Sequence, residues 1–312
     1  MFVKVDFANT FNSLHRDKML CAVEQHTPIL LPFVHSSYST SSLLFWGDKV
    51  LESSEGVQQG DPLGPLLFCL SIHSLTSRLV SDFKVFYLDD GTLGGSCSDA
   101  IQDLSMVEAV AAELGLKLNR GKSEVMCHDP SILESFLLKF PGFQVTSSEK
   151  LTLLGAPLTE NVDSSILEKV SVLRVLGDRI HYFQVQDAIL LLRYSLVVPK
   201  LLYLLHCSPC FQSPHLQQFD EVLRGILSTV CNISITSCDS LWKQASLPVS
   251  CGGLGVRSVV HLTPSAFLSS VAGLRDLVKQ ILPSHVHSRP YPEMDATLSA
   301  WSKWHAHACT HL

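Results

Sequence analysis

Three aspartates in the first third of the chain stand where carboxylates could do chemistry. Asp89 and Asp90 lie side by side at the end of an apolar run, in FKVFYLDDGTLGG, and Asp6 ends the run VKVD. Burying an unpaired carboxylate is costly, so the pair is expected at the exposed tip of a strand-turn-strand, within reach of divalent cations. Taken alone, Asp-Gly is also the usual two-residue hairpin turn, and a simple turn is then the more frequent explanation.

Asp6 favours the catalytic interpretation, because metal-assisted phosphoryl transfer needs convergent carboxylates. This chemistry holds two cations roughly 4 Å apart, one at the attacking oxygen and one at the leaving oxygens. We expect VKVDF and FKVFYL to be paired strands with their carboxyl ends aligned. That pairing would bring Asp6 to the Asp89-Asp90 tip.

The elements around these residues predict an α+β half followed by an all-α half. SLLFWGDKVLESS has the pattern of a hairpin that turns at Gly47-Asp48, and LLFCLSIHSLTSRLV that of a buried helix. An amphipathic helix follows, with Ser98 as its N-cap and Gly115 as its end. Strands are expected near KSEVMC and KLTLLGAPL.

From about Asn161 onward, helical periodicity dominates. Ser213-Pro214 and Thr263-Pro264 both have the N-cap and N1 pattern of a helix start. GGLGVRS predicts a glycine-rich break. The last 25 or so residues, which contain several prolines and histidines, are expected to be loosely structured.

Composition is typical of a well-cored globular chain. Of its 312 residues 46% are hydrophobic and 17% charged, and no uncharged apolar run reaches the roughly 20 residues that a bilayer demands. The start lacks the pattern of a secretory signal, so we expect an intracellular protein without a membrane span, its ten cysteines reduced. Cys207 and Cys210 form a C-x-x-C without a second pair, which favours core thiols over a zinc site.

The formal charge of −6 does not indicate a nucleic-acid binder. A polymerase, however, needs only a local basic path, and acidic metal ligands lower the total. The net charge therefore leaves that class open.

Five motifs in order carry a resemblance to a known family: DFANTFN, GVQQGDPLGPLLF, FYLDDG, LGLKLNRGKSEV and LTLLGAPL. Together they resemble the palm motifs of reverse transcriptases, most nearly those of non-LTR retrotransposons and group II introns. The resemblance covers residues 3 to about 158. It implies a polymerase palm, a small antiparallel sheet packed with helices, over 1–158, a helical thumb-like region over 159–250, and a helical extension with a loose tail over 251–312.

The resemblance also implies a metal site and a sugar filter. Asp6 and Asp89 would bind two Mg²⁺ ions with help from the main-chain carbonyl of Phe7, and Asp90 would lie at the rim. Phe11 would pack under the incoming sugar and exclude a 2′-hydroxyl, which selects deoxynucleotides. The alternative for Phe11 is a core aromatic at a helix start.

Three further roles follow from the same resemblance. Gln59 and Gly60 would form the loop that approaches the nucleotide, and Lys122 would neutralise or protonate the leaving pyrophosphate. Leu154 and Gly155 would belong to the hairpin that grips the primer end. Without the other motifs, QQGDPLGP would be a simple turn and Lys122 a solvated surface lysine.

The implied partners are an RNA template, a DNA primer and deoxynucleoside triphosphates. The implied activity is RNA-directed DNA synthesis in a retrotransposon context. Members of the family carry basic fingers before the first aspartate, and only five residues precede Asp6 here. We therefore expect an amino-terminally truncated copy of impaired activity. A non-catalytic palm-thumb module that binds nucleic acid or protein is the main alternative, and an RNA-copying RNA polymerase is disfavoured by Phe11.

Overall fold

The computed structural model describes residues 1–158, 162–281 and 292–309. It divides into two compact units, Met1–Leu151 and Thr152–Leu312. The first mixes helices with a small sheet and the second is almost wholly helical, so the expected α+β class is confirmed.

The first unit is built on a five-stranded sheet of order β5-β6-β1-β8-β9. Its pairs are antiparallel apart from β8 with β9, which is parallel. Two smaller pairs, β2 with β7 and β3 with β4, lie outside this sheet. The strands are β1 (Phe2–Val5), β2 (Phe7–Ala8), β3 (Ser42–Trp46), β4 (Lys49–Ser53), β5 (Phe83–Tyr87), β6 (Asp90–Gly94), β7 (Lys117–Leu118), β8 (Glu124–Met126) and β9 (Gln144–Val145).

Six helices of the first unit accompany this sheet. They are α1 (Thr10–Ser13), α2 (Arg16–His26), α3 (Leu31–Tyr38), α4 (Gly64–Thr76), α5 (Cys97–Glu113) and α6 (Pro130–Lys139). Alternation along β1 buries Val3 and Val5, which join Leu67 and Phe68 of α4 and Leu104 of α5 in one core. The two buried β1 side chains that precede Asp6 in sequence are thus anchored in the interior.

Both ends of α5 follow capping chemistry, but the N-cap lies two residues before the predicted one. Ser96, not Ser98, is the N-cap, and its hydroxyl accepts a hydrogen bond of 3.1 Å from the backbone N–H of Asp99. Ser98 contacts the Ser96 hydroxyl instead. Gly115 has φ +82°, so it ends the helix as predicted.

The second unit begins with a hairpin and continues as helices. Its elements are β10 (Thr152–Leu153), β11 (Ala156–Pro157), α7 (Val162–Ile180), α8 (Val185–Leu191), α9 (Val198–Cys207), α10 (Pro214–Cys231), α11 (Asp239–Ser246), α12 (Val259–Ile281) and α13 (Pro292–Cys309). One core runs from Ile166 to Ala266. Residues on both sides of the predicted boundary at 250/251 share this core. The boundary between the two compact units follows Leu151 and so lies before the predicted one at residue 158. The division into palm, thumb and extension remains a prediction.

Two expectations about the helical half need correction. Ser213 does cap α10, but Pro264 lies inside α12, which starts at Val259 because buried Asp220 accepts a hydrogen bond of 2.9 Å from the Val259 N–H. The expected loose tail is instead helical over Pro292–Cys309, with a proline at the start and acidic residues in the first turn. Residues 310–312 lie outside the described part.

By length and composition alone, Val185–Cys207 could cross a membrane. In the structure this stretch is three pieces: α8, a π-helical turn at Leu192–Leu196, and α9. Ala188, Leu192 and Leu201 lie in the core of the second unit. Core burial accounts for the apolar character of these residues.

Candidate active site

Asp6 lies at the carboxyl end of β1, next to the tip of the β5-β6 hairpin. The register pairs Val5 with Gly91, so the next residue on each strand brings Asp6 beside Asp90. Asp6 is fixed from the other side as well: its N–H donates to the Ser123 hydroxyl at 3.1 Å, and its carbonyl accepts from the Asn119 N–H at 2.8 Å. The backbone of Asp6 therefore has a defined position at this edge of the sheet.

The expected direct pairing of β1 with β5 is wrong, since β6 lies between them. Both strands run antiparallel to β6, so they are parallel to each other and their carboxyl ends reach the same edge. The hairpin itself was predicted, but the position of its return strand was not, because DGTLG is poor in β-branched residues yet forms the interior strand β6.

The hairpin turn also differs from the Asp-Gly turn considered for this sequence. Tyr87 pairs with Asp90, which leaves Leu88 and Asp89 as the two turn residues. Leu88 has φ +58°, a left-handed conformation that costs a non-glycine residue about 1 kcal/mol or more. Gly91 belongs to β6, where a Cβ would come within 2.4 Å of the Phe86 ring. The strained turn places Asp89 at the apex.

The electrostatics of Asp6 link the three carboxylates. Burial raises the pKa of Asp6, the charge of Lys122 lowers it, and the charges of Asp89 and Asp90 raise it further. Asp6 Oδ2 is buried and has no hydrogen-bond partner within the described part of the chain. An orphaned carboxylate oxygen beside other carboxylates is a position that a cation would stabilise.

Lys122 is exposed and follows a turn in which its N–H donates to the Asn119 carbonyl at 3.1 Å. Its ammonium group is the favourable charge that Asp6 experiences. The structure therefore brings Lys122, Asp6, Asp89 and Asp90 into one electrostatic neighbourhood.

The donor set fits a divalent cation only in part. Carboxylate oxygens are the ligands that Mg²⁺ prefers, and Asp6 Oδ2 is available. However, among the described residues no group of three or more acidic, histidine or cysteine side chains is arranged to hold a metal. Asp6 and Asp89 together with substrate oxygens would have to complete the coordination shell.

Phe7 and Phe11 lie on the segment just after Asp6. Phe7 is buried in β2, and its carbonyl accepts a hydrogen bond of 3.0 Å from the Thr10 hydroxyl, which occupies one lone pair of the predicted metal ligand. Phe11 is half-buried on α1, with its ring 5.0 Å from that of Phe68. It packs on the core with one face, so the core interpretation and the sugar-filter interpretation are both compatible with its position.

Gln59 and Gly60 form an exposed turn between β4 and α4. Gly60 has φ +93°, and none of the described atoms lies within 4 Å of the place where a Cβ would be. Glycine is needed there for its backbone conformation, and the open space is compatible with a ligand.

Leu154 and Gly155 belong to the second unit, where they form the turn of the β10-β11 hairpin. Their φ angles are +49° and +81°, the pattern of a type I′ turn. The Leu154 carbonyl accepts a hydrogen bond of 2.6 Å from the Tyr203 hydroxyl of α9. The motif LTLLGAPL does not indicate Tyr203, because this residue is 49 residues from Leu154 in sequence.

The model of one protein family, reverse transcriptase (RNA-dependent DNA polymerase), matches residues 1–158. The chain belongs to the reverse transcriptase family. No curated protein matches it. The match spans every candidate site residue, from Asp6 to Gly155, and therefore agrees with the range of the motif resemblance. The family relates the chain to nucleotidyl transfer and to nucleic-acid templates and primers.

Sequence reasoning missed a buried set of side chains beneath the Gln59-Gly60 turn of this reverse transcriptase domain. Arg16 is only 7% exposed, and Tyr38 only 3%. The Tyr38 hydroxyl donates to the Asp61 carboxylate, and Arg16 lies 5.3 Å from the Tyr38 ring centroid. The one available signal was Asp61 in QQGDP; Arg16 and Tyr38 lie in helical stretches without any motif.

The two cysteines of the C-x-x-C in the second unit lie in different environments. Cys210 is buried, which raises the pKa of its thiol to about 11, whereas Cys207 is largely exposed. Within the described ranges, they do not belong to a group of three or more side chains that could hold a metal ion. The core position was expected for both residues and holds for Cys210 only.

Proposed function

We propose that the chain is an RNA-directed DNA polymerase that extends a DNA primer along an RNA template, of the non-LTR retrotransposon type. One observation carries the proposal: the strand order places Asp6 at the sheet edge where the Asp89-Asp90 tip lies, in a chain of the reverse transcriptase family. Those carboxylates are the groups that nucleotidyl transfer requires.

Asp6 and Asp89 are proposed to hold two Mg²⁺ ions, with Asp90 at the rim. The ions would supply charge stabilisation at the attacking primer oxygen and at the leaving phosphate oxygens. The support from this chain is the buried, unpartnered Oδ2 of Asp6 and the raised pKa of that carboxyl group. The strained Leu88 turn keeps Asp89 at the apex of the hairpin, outside the paired strand residues.

The remaining side chains would select and orient the nucleotide. Phe11 would exclude a 2′-hydroxyl, and Gln59-Gly60 would approach the base and sugar from the neighbouring turn. Lys122, already within electrostatic reach of Asp6, would offset the charge that develops on the pyrophosphate. In the second unit, the Leu154-Gly155 turn would contact the primer end.

A primer-extension assay tests the proposal. The chain is incubated with an RNA template, an annealed DNA primer, Mg²⁺ and either deoxynucleotides or ribonucleotides. We expect extension with deoxynucleotides only, and a loss of at least about 10³-fold in the Asp89→Asn variant, because one metal-binding charge is removed. Asp48→Asn, on the exposed β3-β4 turn, is the matched control and should extend like the original chain.

A second candidate function is a non-catalytic module that binds nucleic acid or protein. It is favoured by one observation, that the described residues include no group of three metal-ligating side chains. Retention of a template-primer duplex without extension above Asp89→Asn would support this candidate. Extension with ribonucleotides as efficient as with deoxynucleotides would instead indicate an RNA polymerase.

A further inference from the structure

Buried Arg16 and Tyr38 and half-buried Asp61, here called the brace, connect two segments of the candidate site. One is the turn with Gln59 and Gly60. The other is the segment after Asp6, which carries Phe11. The motifs assign no role to the brace.

Tyr38 holds both ends of the turn. Its hydroxyl donates to the Asp61 carboxylate and accepts from the Gln58 N–H at 3.3 Å. Asp61 in turn accepts from the Leu63 N–H at 2.8 Å. Gln58 and Asp61 directly flank Gln59 and Gly60, so one phenol oxygen closes the base of this turn.

Arg16 binds the backbone segment that leads into the same turn. Its guanidinium donates to the Gly56 carbonyl at 3.0 Å and to the Ser53 carbonyl at 2.9 Å. A buried guanidinium satisfied by carbonyls is rigid, because each lost bond would leave a charged donor unpaired.

The segment that leads into the turn is also hydrogen-bonded to the segment with Phe11. The Val57 N–H donates to the Phe11 carbonyl at 2.6 Å, and the Gly56 N–H donates to the Leu14 carbonyl at 2.8 Å. The approach is so close that a Cβ on Gly56 would lie 2.4 Å from the Phe11 carbonyl oxygen. The separation of Phe11 from the Gln59-Gly60 turn is therefore determined by these bonds and by the brace.

We propose that Tyr38 is a positioning residue: with Arg16 and Asp61 it sets the gap between Phe11 and Gln59-Gly60, and thereby the discrimination between deoxyribose and ribose. The inference rests on the proposed function, since it assigns the specificity of that same site. Tyr38 acts through the turn and does not itself contact the nucleotide, because its side chain is buried.

Tyr38→Phe isolates the hydroxyl. The ring remains, so the core contact and the position of Arg16 over the ring are kept. Burial and the bond to Asp61 raise the pKa of Tyr38 to about 12, so the hydroxyl is a donor throughout the range of any polymerase assay. Tyr182→Phe, at an 81% exposed tyrosine of the second unit, is the matched control.

The first experiment measures KM and kcat for dATP and ATP in primer extension by the full chain. In Tyr38→Phe we expect the KM for dATP to rise about tenfold with little change in kcat, and the preference for dATP over ATP to fall about tenfold. Asp61→Ala should have the same effect. Asp61→Asn keeps one acceptor oxygen for the Leu63 N–H but places an NH2 group against the Tyr38 hydroxyl, so its preference should lie between those of the original chain and Asp61→Ala. The Tyr38→Phe, Asp61→Ala double variant should be no worse than either single variant.

A second measurement is independent of turnover. Amide hydrogen exchange should show lost protection at Gln58 in Tyr38→Phe and unchanged protection in Tyr182→Phe. Unchanged exchange at Gln58, or a drop in kcat alone with the dATP preference intact, overturns the inference. If the original chain neither binds nor incorporates dATP, the proposed function is refuted, and the specificity role of Tyr38 with it. If the original chain is active and Tyr38→Phe behaves identically to it, only the role of Tyr38 is refuted.

Discussion

Asp6 carries an unfavourable charge in the folded chain. Burial raises its pKa above 3.8, the charge of Lys122 lowers it, and the charges of Asp89 and Asp90 raise it, so that the net pKa of Asp6 is raised. A group whose pKa is higher in the folded state than in the unfolded state favours folding when protonated and opposes it when charged. Its penalty is therefore absent at low pH and grows as the pH rises through the raised pKa.

Asp6→Asn should consequently stabilise the chain in the absence of metal while abolishing extension. At neutral pH we expect the Tm to rise by roughly 2 °C, because the buried negative charge is gone. The advantage over the original chain should shrink as the pH falls toward 3.8, where both side chains are neutral. Scanning calorimetry across this pH range checks the prediction.

Added Mg²⁺ provides the control for this prediction. The ion should raise the Tm of the original chain and leave that of Asp6→Asn nearly unchanged, since ligands stabilise only the form that binds them. Equal Mg²⁺ shifts in both chains would contradict the assignment of Asp6 as a metal ligand.

At the scale of elements, the β10-β11 hairpin depends on α9. The two turn residues, Leu154 and Gly155, both have left-handed backbone conformations. This conformation is unfavourable for Leu154 because it is not a glycine. The bond from the Tyr203 hydroxyl to the Leu154 carbonyl compensates for the strain. A hairpin this short has marginal stability by itself.

Tyr203→Phe should loosen the hairpin without unfolding the helices. We expect faster amide exchange across residues 152–157, by about fivefold to tenfold for the loss of one hydrogen bond. Leu154→Gly in the same background should restore part of the protection, because it removes about 1 kcal/mol of backbone strain. Tyr194→Phe is the control, because Tyr194 is also an exposed tyrosine, at 60%. Equal amide exchange in the two variants would refute the dependence of the hairpin on α9.

Asp220 joins α10 to the start of α12. Its buried carboxylate accepts from the Ser258 hydroxyl at 2.5 Å and from the Val259 N–H at 2.9 Å. Burial raises the pKa of Asp220, and these hydrogen bonds lower it. The carboxylate is thus the cap that starts α12 five residues before Pro264, where the sequence suggested a start.

Asp220→Ala should lower the free energy of unfolding by about 2–3 kcal/mol, because two buried donors lose their acceptor. Asp220→Asn should cost less at pH 7. As the pH falls toward 3.8, the original chain should gain stability relative to Asp220→Asn, since its raised pKa favours proton uptake in the folded state. Urea denaturation at several pH values measures both effects; a pH-independent difference would contradict the assignment.

At the scale of the whole molecule, the β3-β4 hairpin is conspicuous for exposed apolar side chains. Phe45 is 76% exposed and Trp46 71%, and Leu43, Leu44, Val50 and Leu51 are at least half exposed. Of these, Leu43, Leu44 and Leu51 border a groove of about 900 Å³ that extends to Asn12 and Gln59. Exposed apolar patches of this kind reduce solubility.

Replacing Phe45 and Trp46 with serine should increase solubility and change the free energy of unfolding by no more than about 0.5 kcal/mol. Phe136→Ser gives the contrast, because Phe136 is fully buried and its loss should cost roughly 3–5 kcal/mol. Sedimentation at rising concentration and urea denaturation test the pair. A large loss of stability in the hairpin variant would mean that these side chains are buried in the folded protein.

Local chemistry in the sequence was sufficient to predict the division into an α+β part and a helical part, the Gly47-Asp48 hairpin, the Gly115 helix end and the Ser213 cap. Each depends on residues within a few positions of one another. The resemblance of the ordered motifs to reverse transcriptases likewise indicated Asp6, Asp89, Asp90 and Lys122 as one group, although these residues lie far apart in sequence.

Only the tertiary structure decided which strands are neighbours, which residues close the β5-β6 turn, where α12 begins, and what holds the Gln59-Gly60 turn in place. Strand order depends on the packing of the whole sheet, and β6 lies between β1 and β5 although its own sequence has weak strand propensity. Tyr203 reaches Leu154, Asp220 reaches Val259, and Tyr38 reaches Asp61 across 20 to 50 residues of chain. Such contacts arise from burial and have no local pattern, so a sequence cannot reveal them until the fold brings the partners together.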